Sequence, residues 1–228
     1  VLDEWGVGEK LAPSRSIIAL FAGPPGTGKT MAVGVIANEL GLDLYRIDLS
    51  SVVSKYIGET EKNLERIFGE ADRSNIILFF DEADALFGKR SDVKDARDRY
   101  ANIEISYLLQ RMESYNGITI LATNLVSNLD EAFTRRLHAK ITFAEPDADQ
   151  RLRIWRSLLP PGVPVEPDIN WSRLAQRFAL SGGNIRNVIV LAAYLAAREQ
   201  RPLGMTHLLH ATRREFQKMG RMLNERDF

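Results

Sequence analysis

The chain of 228 residues contains no cysteine. Disulfides, thiolate zinc sites and cysteine nucleophiles are therefore excluded, and a reducing, cytoplasmic setting fits the composition. An excess of one charge is also missing, because 30 basic and 30 acidic residues cancel to a formal net charge of +0. No global field draws in nucleic acid or an acidic membrane surface, which makes nucleic acid an unfavoured partner, although a local basic patch is compatible with neutrality. Long apolar runs are absent as well. The apolar runs, such as Ser16 to Ala22 and Ile76 to Phe80, are far short of the roughly 20 residues of a membrane span, so no membrane insertion is expected. The opening Val1-Leu2-Asp3-Glu4-Trp5-Gly6 lacks a basic n-region and an apolar h-region, so it does not read as a signal peptide. There are no internal repeats and no low-complexity tract. What remains is 45% apolar and 26% charged, the balance of an ordinary globular protein. At this length it is one large domain, or one domain with a small appendage.

Short apolar, β-branched runs recur at Ser16 to Ala22, Leu42 to Asp48, Ile76 to Phe80, Ile118 to Thr123 and Lys140 to Phe143. Helical patterns lie between them near 29–40, 61–73, 99–114 and 129–137. Strands that are apolar on both pleat faces are buried on both faces, so the alternation predicts a parallel sheet with helices on either side. Glu145-Pro146-Asp147 then punctuates the chain, and the rest reads as helix at 148–159, 170–179, 184–200 and 205–220, broken by Pro160-Pro161-Gly162-Val163-Pro164. These patterns divide the chain into an α/β domain over 1–145 and a small helical domain over 146–228.

Directly after the first strand comes Gly23-Pro24-Pro25-Gly26-Thr27-Gly28-Lys29-Thr30, a complete G-x-x-x-x-G-K-[ST] motif. Its glycines let backbone N–H groups turn inward around an anion, and the helix starting near Lys29 directs its positive end at the same place. Lys29 would reach the β- and γ-phosphates of a nucleotide, and Thr30 would ligate Mg²⁺. The competing reading is a plain glycine-rich turn between strand and helix; the motif sits in the strand-loop-helix context that nucleotide binding requires.

The third strand runs into Asp81-Glu82. A central strand would place both carboxylates at its C-terminal edge, where ligands of open α/β sheets bind. Asp81 would hold the Mg²⁺ shell and Glu82 would polarise the attacking water. The competing reading is a solvated acidic turn. Asp84 reads as structural, capping the next helix. The fourth strand ends in Thr123-Asn124, and the Asn124 amide could fix the same water or simply end the strand in a turn. Arg135-Arg136 follow an amphipathic stretch. Two readings stand for them: a clamp on a transferring phosphoryl group, or surface charges paired with nearby acids.

Taken in order, these motifs resemble the AAA+ ATPases, over essentially the whole chain. Ser54-Lys55-Tyr56-Ile57-Gly58-Glu59-Thr60-Glu61-Lys62-Asn63-Leu64 is similar to the first pore loop and following helix of the AAA clade that includes katanin, spastin and the ESCRT-disassembling ATPases. The chain also resembles the AAA+ ATPases encoded with bacterial extracellular contractile injection systems. The resemblance implies a P-loop NTPase three-layer α/β sandwich with a five-stranded parallel sheet, followed by a small all-helical lid. It implies ATP and Mg²⁺ as cofactors, a homo-oligomeric ring, usually a hexamer, and a protein substrate drawn through a central pore. By position, Lys29 and Thr30 fall on Walker A, Asp81 and Glu82 on Walker B, and Asn124 on sensor 1. Arg135 and Arg136 fall on the arginine fingers that reach a neighbouring subunit's site. Lys55, Tyr56 and Ile57 fall on the pore loop, where an aromatic ring followed by a β-branched residue grips an extended polypeptide without reading its sequence.

Two departures from the clade bear on mechanism. Arg186, in Ser181-Gly182-Gly183-Asn184-Ile185-Arg186-Asn187, stands where other AAA+ branches keep a sensor 2 arginine and the AAA clade often has none. It would contact the γ-phosphate from the lid or lie on its helix's polar face. Met112-Glu113-Ser114-Tyr115-Asn116-Gly117 lacks the clade's aspartate-glycine pair for communication between subunits, which leaves Glu113 without a defined part in it. The charged segment 88–99 reads equally as a second pore loop or a solvated loop. The leading function is an ATP-hydrolysing protein remodeller; the alternative is a nucleotide-gated assembly module with slow or no turnover.

Overall fold

A computed structural model describes residues 16–49, 59–86, 106–125 and 131–221. The chain folds into two compact units, one running to Phe143 and the other from Ala144 onward, with Pro25–Gly28 belonging to the second.

The first unit is built on β1 (Ile17–Ala22), β2 (Leu44–Asp48), β3 (Ile77–Asp81), β4 (Ile118–Thr123) and β5 (Ala139–Thr142). All pairings are parallel and the order across the sheet is β2-β3-β4-β1-β5. The expected five-stranded parallel sheet is therefore present. Parallel strands require crossovers, and α1 (Lys29–Leu40), α2 (Glu59–Ser74), a helix α3 over 106–114 and the short α4 (Glu131–Thr134) lie between the strands. One sheet face packs Phe21, Ile77, Phe79 and Ile120 on Val33 and Ala37 of α1. The other packs Ile18, Leu20, Leu78, Phe80 and Leu121 on Leu64 and Phe68 of α2 and on Leu108 and Met112 of α3. Alternate residues of β1, β3 and β4 thus serve opposite layers, which is why these strands read as continuous apolar runs. Fully burying each such aliphatic or aromatic side chain is worth about 1.5–3 kcal/mol.

Element ends differ from the sequence expectation where local hydrogen bonding overrides hydropathy. Leu42 N–H donates back to Ala37 O, closing a turn after α1, and the ladder to β3 starts where Asp43 O accepts from Ile77 N–H, so β2 begins at Leu44. The helix expected over 129–137 is confined, within the described residues, to α4, because the N–H groups of Arg136 and Leu137 turn back three residues to Phe133 and Thr134.

The second unit holds α5 (Ala148–Leu158), α6 (Trp171–Arg177), α7 (Gly182–Arg198) and α8 (Met205–Lys218), with one parallel bridge between Val165 and Leu203. Trp155, Leu174, Phe178, Ile185, Val188, Ala192, Leu208 and Phe216 form its core. Helix α7 starts two residues earlier than expected, on a pair of glycines that would ordinarily disfavour helix. The reason is a capping box. Ser181 Oγ accepts from Asn184 N–H, and the Asn184 side chain accepts from Ser181 N–H. Asp147 and Gln150 make the same reciprocal pair at α5.

Candidate nucleotide-binding site

The strand order sets the carboxyl ends of β3, β4 and β1 side by side, and all three carry the residues singled out by sequence. In β3, Ile77 and Phe79 face the α1 layer, so two-residue periodicity puts Asp81 on that face. In β4, Ile118, Ile120 and Ala122 face the same layer, and Asn124 continues their phase just past the strand. Helix α1 begins at Lys29 over this face. Sequence spacing and sheet geometry therefore converge on one edge.

The loop between β1 and α1 is held by backbone contacts that tolerate no side chain at its start. Gly23 N–H donates to Thr123 O at 3.1 Å, and Phe143 N–H donates to Ala22 O at 2.7 Å. A Cβ on Gly23 would fall 2.1 Å from Phe143 O. Gly26 and Gly28 adopt φ of 77° and 100°, the left-handed region that only glycine enters freely. Inside the second unit, Gly183 N–H donates to Gly26 O at 3.0 Å. Pro24, Pro25 and Thr27 complete the loop, and Thr30 is exposed in the first turn of α1.

Lys29 is 8% exposed. Its ammonium donates to Gly23 O at 2.7 Å, Pro24 O at 3.0 Å and Asn124 Oδ1 at 2.9 Å, which uses all three of its protons. Burial holds its pKa below the ordinary lysine value, and the nearby Asp81 and Asp84 carboxylates act in the opposite sense.

Asp81 accepts from the Arg46 guanidinium at 2.6 Å through Oδ2 and from Glu82 N–H at 3.0 Å through Oδ1. Glu82 is exposed and sits at φ 53°, which a side chain with a Cβ enters at a cost of about 1 kcal/mol or more. The backbone turns sharply there, carrying the chain off the sheet into the 3₁₀ turn Ala83–Leu86. Asp84, on that turn, does not follow the expectation of a helix cap. It reaches instead to the end of β4, where its carboxylate accepts from the Thr123 hydroxyl, from Asn124 N–H at 2.8 Å and from Asn124 Nδ2 at 3.4 Å.

The remaining candidates lie apart from this cluster. Arg135 and Arg136 follow α4 and are exposed. Arg136 Nε pairs with Glu113 at 3.0 Å, so one of the two arginines has the surface pairing that sequence had left open. Arg186 lies on α7 of the second unit, three residues after the Gly183 that bonds the loop. Lys55, Tyr56, Ile57 and the charged segment 88–99 fall outside the described residues.

Residues 19–145 match the family described as "ATPase family associated with various cellular activities (AAA)". The chain belongs to the AAA ATPase family. Among relatives of this AAA domain, "ATPase family gene 2 protein" of Schizosaccharomyces pombe is 39% identical over 194 residues, covering 82% of this chain and 24% of the relative. "Cell division cycle protein 48 homolog" of Archaeoglobus fulgidus is 33% identical over 202 residues, covering 86% and 27%. "26S proteasome regulatory subunit 4 homolog" of S. pombe is 30% identical over 208 residues, covering 87% and 45%. Alignments of this length extend into the second unit. The chain spans between a quarter and somewhat under half the length of these relatives.

ATP with Mg²⁺ is the cofactor pair of this family of ATPases, and the geometry fits it. The glycine turns and the buried ammonium suit a triphosphate. Among the described residues no group of three or more carboxylate or imidazole side chains is arranged to hold a metal ion. Mg²⁺ keeps waters and phosphate oxygens as ligands and needs only one or two protein groups. Among the same residues, no helix is long and apolar enough to cross a membrane.

Proposed function

We propose that the chain is the motor core of a ring-forming protein remodeller, in which each site hydrolyses ATP and is completed by a neighbouring copy. The observation that carries this reading is the meeting of Lys29, Asp81 and Asn124 at one strand edge, where the phosphate loop begins. Bound Mg²⁺ would offset charge on the β- and γ-phosphates and polarise the bond that breaks. Gly23, Pro24, Pro25, Gly26, Thr27 and Gly28 supply the loop backbone. Lys29 would exchange its carbonyl partners for phosphate oxygens, and Thr30 and Asp81 would hold the metal, Asp81 by giving up its pairing with Arg46. Glu82 orients the water that attacks the γ-phosphate, and the Asn124 amide fixes that water from the adjoining strand.

Arg135 and Arg136 are assigned to the neighbour's site, where an arginine supplied in trans is worth about 10³–10⁵ in rate. Arg136 must first leave Glu113. That exchange makes the Arg136–Glu113 pair a resting contact of the finger. Arg186 is assigned to the γ-phosphate from the helical unit, acting as a lid. Lys55, Tyr56 and Ile57 are assigned to the protein substrate in the pore, and the client machine that the motor serves is assigned as a contractile injection system from the resemblance of the chain's motifs to the ATPases of such systems. Sheath, tube and baseplate genes beside its own would support that client, and an unrelated neighbourhood would remove it.

The shared site is tested by mixing. Turnover per subunit should rise with protein concentration, and Arg135→Ala mixed with Lys29→Ala should recover part of the activity that neither variant has alone. Concentration-independent turnover by a monomer in ATP contradicts a shared site. Tyr56→Ala should keep ATPase activity and lose substrate processing; loss of both would return Tyr56 to a structural role.

A further inference from the structure

Asp84 carries no role in the mechanism above, yet its carboxylate collects three donors from two consecutive residues of the neighbouring strand end. Those donors are the hydroxyl of Thr123, which is buried, and the backbone N–H and side-chain amide of Asn124. Beyond the last ladder pair of β4, Asn124 N–H has no strand partner, so the carboxylate supplies the acceptor that the sheet does not. The amide itself is held at both ends by chemically opposite groups. Lys29 can only donate, so it selects Oδ1; ionised Asp84 can only accept, so it selects Nδ2.

We propose that Asp84 is a positioning residue for ATP hydrolysis: it fixes the Asn124 amide so that Oδ1, and never Nδ2, faces the lysine and the attacking water. This rests on the water-fixing role given to Asn124 above. An amide held by Lys29 alone would swing about that single bond, and the orientations that carry Oδ1 away from the water would be unproductive. Asp84 also ties the strand end carrying Asn124 to the turn that follows Asp81 and Glu82. The metal-side carboxylate, the water-polarising carboxylate and the water-fixing amide therefore keep one spacing, on which near-attack geometry depends.

Asp84→Asn in the full chain tests this with almost no change of shape. Its remaining carbonyl oxygen can still accept from Thr123 and from Asn124 N–H, but an NH₂ group now faces Asn124 Nδ2. Two donors cannot pair, so the Asn124 amide loses its anchor on the Nδ2 side and is held by Lys29 alone. Turnover at saturating ATP should fall about 10- to 100-fold, the scale of losing one oriented transition-state hydrogen bond. The Kd for a fluorescent ATP analogue should stay within about threefold, because ground-state binding is carried elsewhere. Asn124→Ala should lose turnover to a similar extent. The double variant should be no slower than the slower single one, since both changes remove the same interaction.

Multiplying losses, or wild-type turnover in Asp84→Asn while Asn124→Ala is slow, would overturn the proposal and leave the water-fixing role of Asn124 intact. Wild-type turnover in Asn124→Ala would overturn that role first. A parallel fall of ATP affinity and thermal midpoint in Asp84→Asn would show a purely structural carboxylate. Thr123→Val gives a second route if Asp84→Asn fails to fold. Removing one anchor of the carboxylate should slow turnover about two- to fivefold at unchanged affinity, the scale of one neutral hydrogen bond; unchanged turnover contradicts the proposal.

Discussion

At the carboxyl edge of the sheet, Lys29, Asp81, Asp84 and Asn124 satisfy one another, with Arg46 and Thr123, through hydrogen bonds to charged groups. The helices of the second unit meet instead across Trp155, Leu174, Ile185, Val188 and Leu208, all buried apolar side chains. Among the described residues of that unit, the buried carboxylate of Glu215 is held by the amides of Asn184 and Asn187 near the start of α7. The first arrangement is specific and intolerant: each charged partner that is removed leaves another without its counterpart. The second is tolerant of shape-conserving change and answers mainly to lost volume.

The sharpest way to break this contrast is to cut volume from the helical unit. Trp155→Ala removes the largest fully buried side chain among the described residues, and its ring also packs against Trp171 at 6.2 Å. Urea unfolding should show a loss of about 3–5 kcal/mol. A loss below about 1 kcal/mol would mean that this core is not close-packed.

A pair of glycines sharpens the contrast within the first unit. Gly23→Ala drives a methyl group into Phe143 O, so it should cost about 1–3 kcal/mol of stability and weaken ATP binding along with it. Gly34→Ala, in the middle of α1 with nothing within 4 Å of its added carbon, should stabilise by about 0.5–1 kcal/mol and leave binding unchanged. Equal effects of the two substitutions on thermal midpoint would show that helix and loop glycines are not distinguished by packing.

Much of the first unit was legible because buried parallel strands announce themselves. Ile76 to Phe80 has no polar residue to confuse it, and the motif from Gly23 to Thr30 carries its own chemistry. The edge strand β2 was harder, since Leu44, Tyr45 and Arg46 are all exposed and only Ile47 is buried. What sequence did not yield depends on pairing across the sheet. Arg46 lies beside Asp81 only because β2 pairs with β3 in the register Asp48↔Asp81. Asp84 reaches Asn124 only because β3 and β4 are neighbours. Its place three residues after Asp81 was visible, but a carboxylate that close to a predicted helix reads as a cap. The left-handed backbone of Glu82 left no sequence signal, because glutamate has no preference for it. In the second unit, Gly182-Gly183 reads as a helix breaker, and only the Ser181–Asn184 pairing shows why α7 starts there.

The central claim is that one strand edge divides its work between holding the nucleotide and activating water. It is tested most directly by the ATP affinities of Lys29→Ala and Glu82→Gln, measured side by side with Mg²⁺ present. Lys29→Ala removes charge-assisted contacts made to the bound ground state and should weaken binding by about 10- to 100-fold or more. Glu82→Gln should bind ATP within about threefold of the unaltered chain and fail to hydrolyse it, because its carboxylate acts on the water in the transition state. Comparable affinities for the two variants would contradict the division.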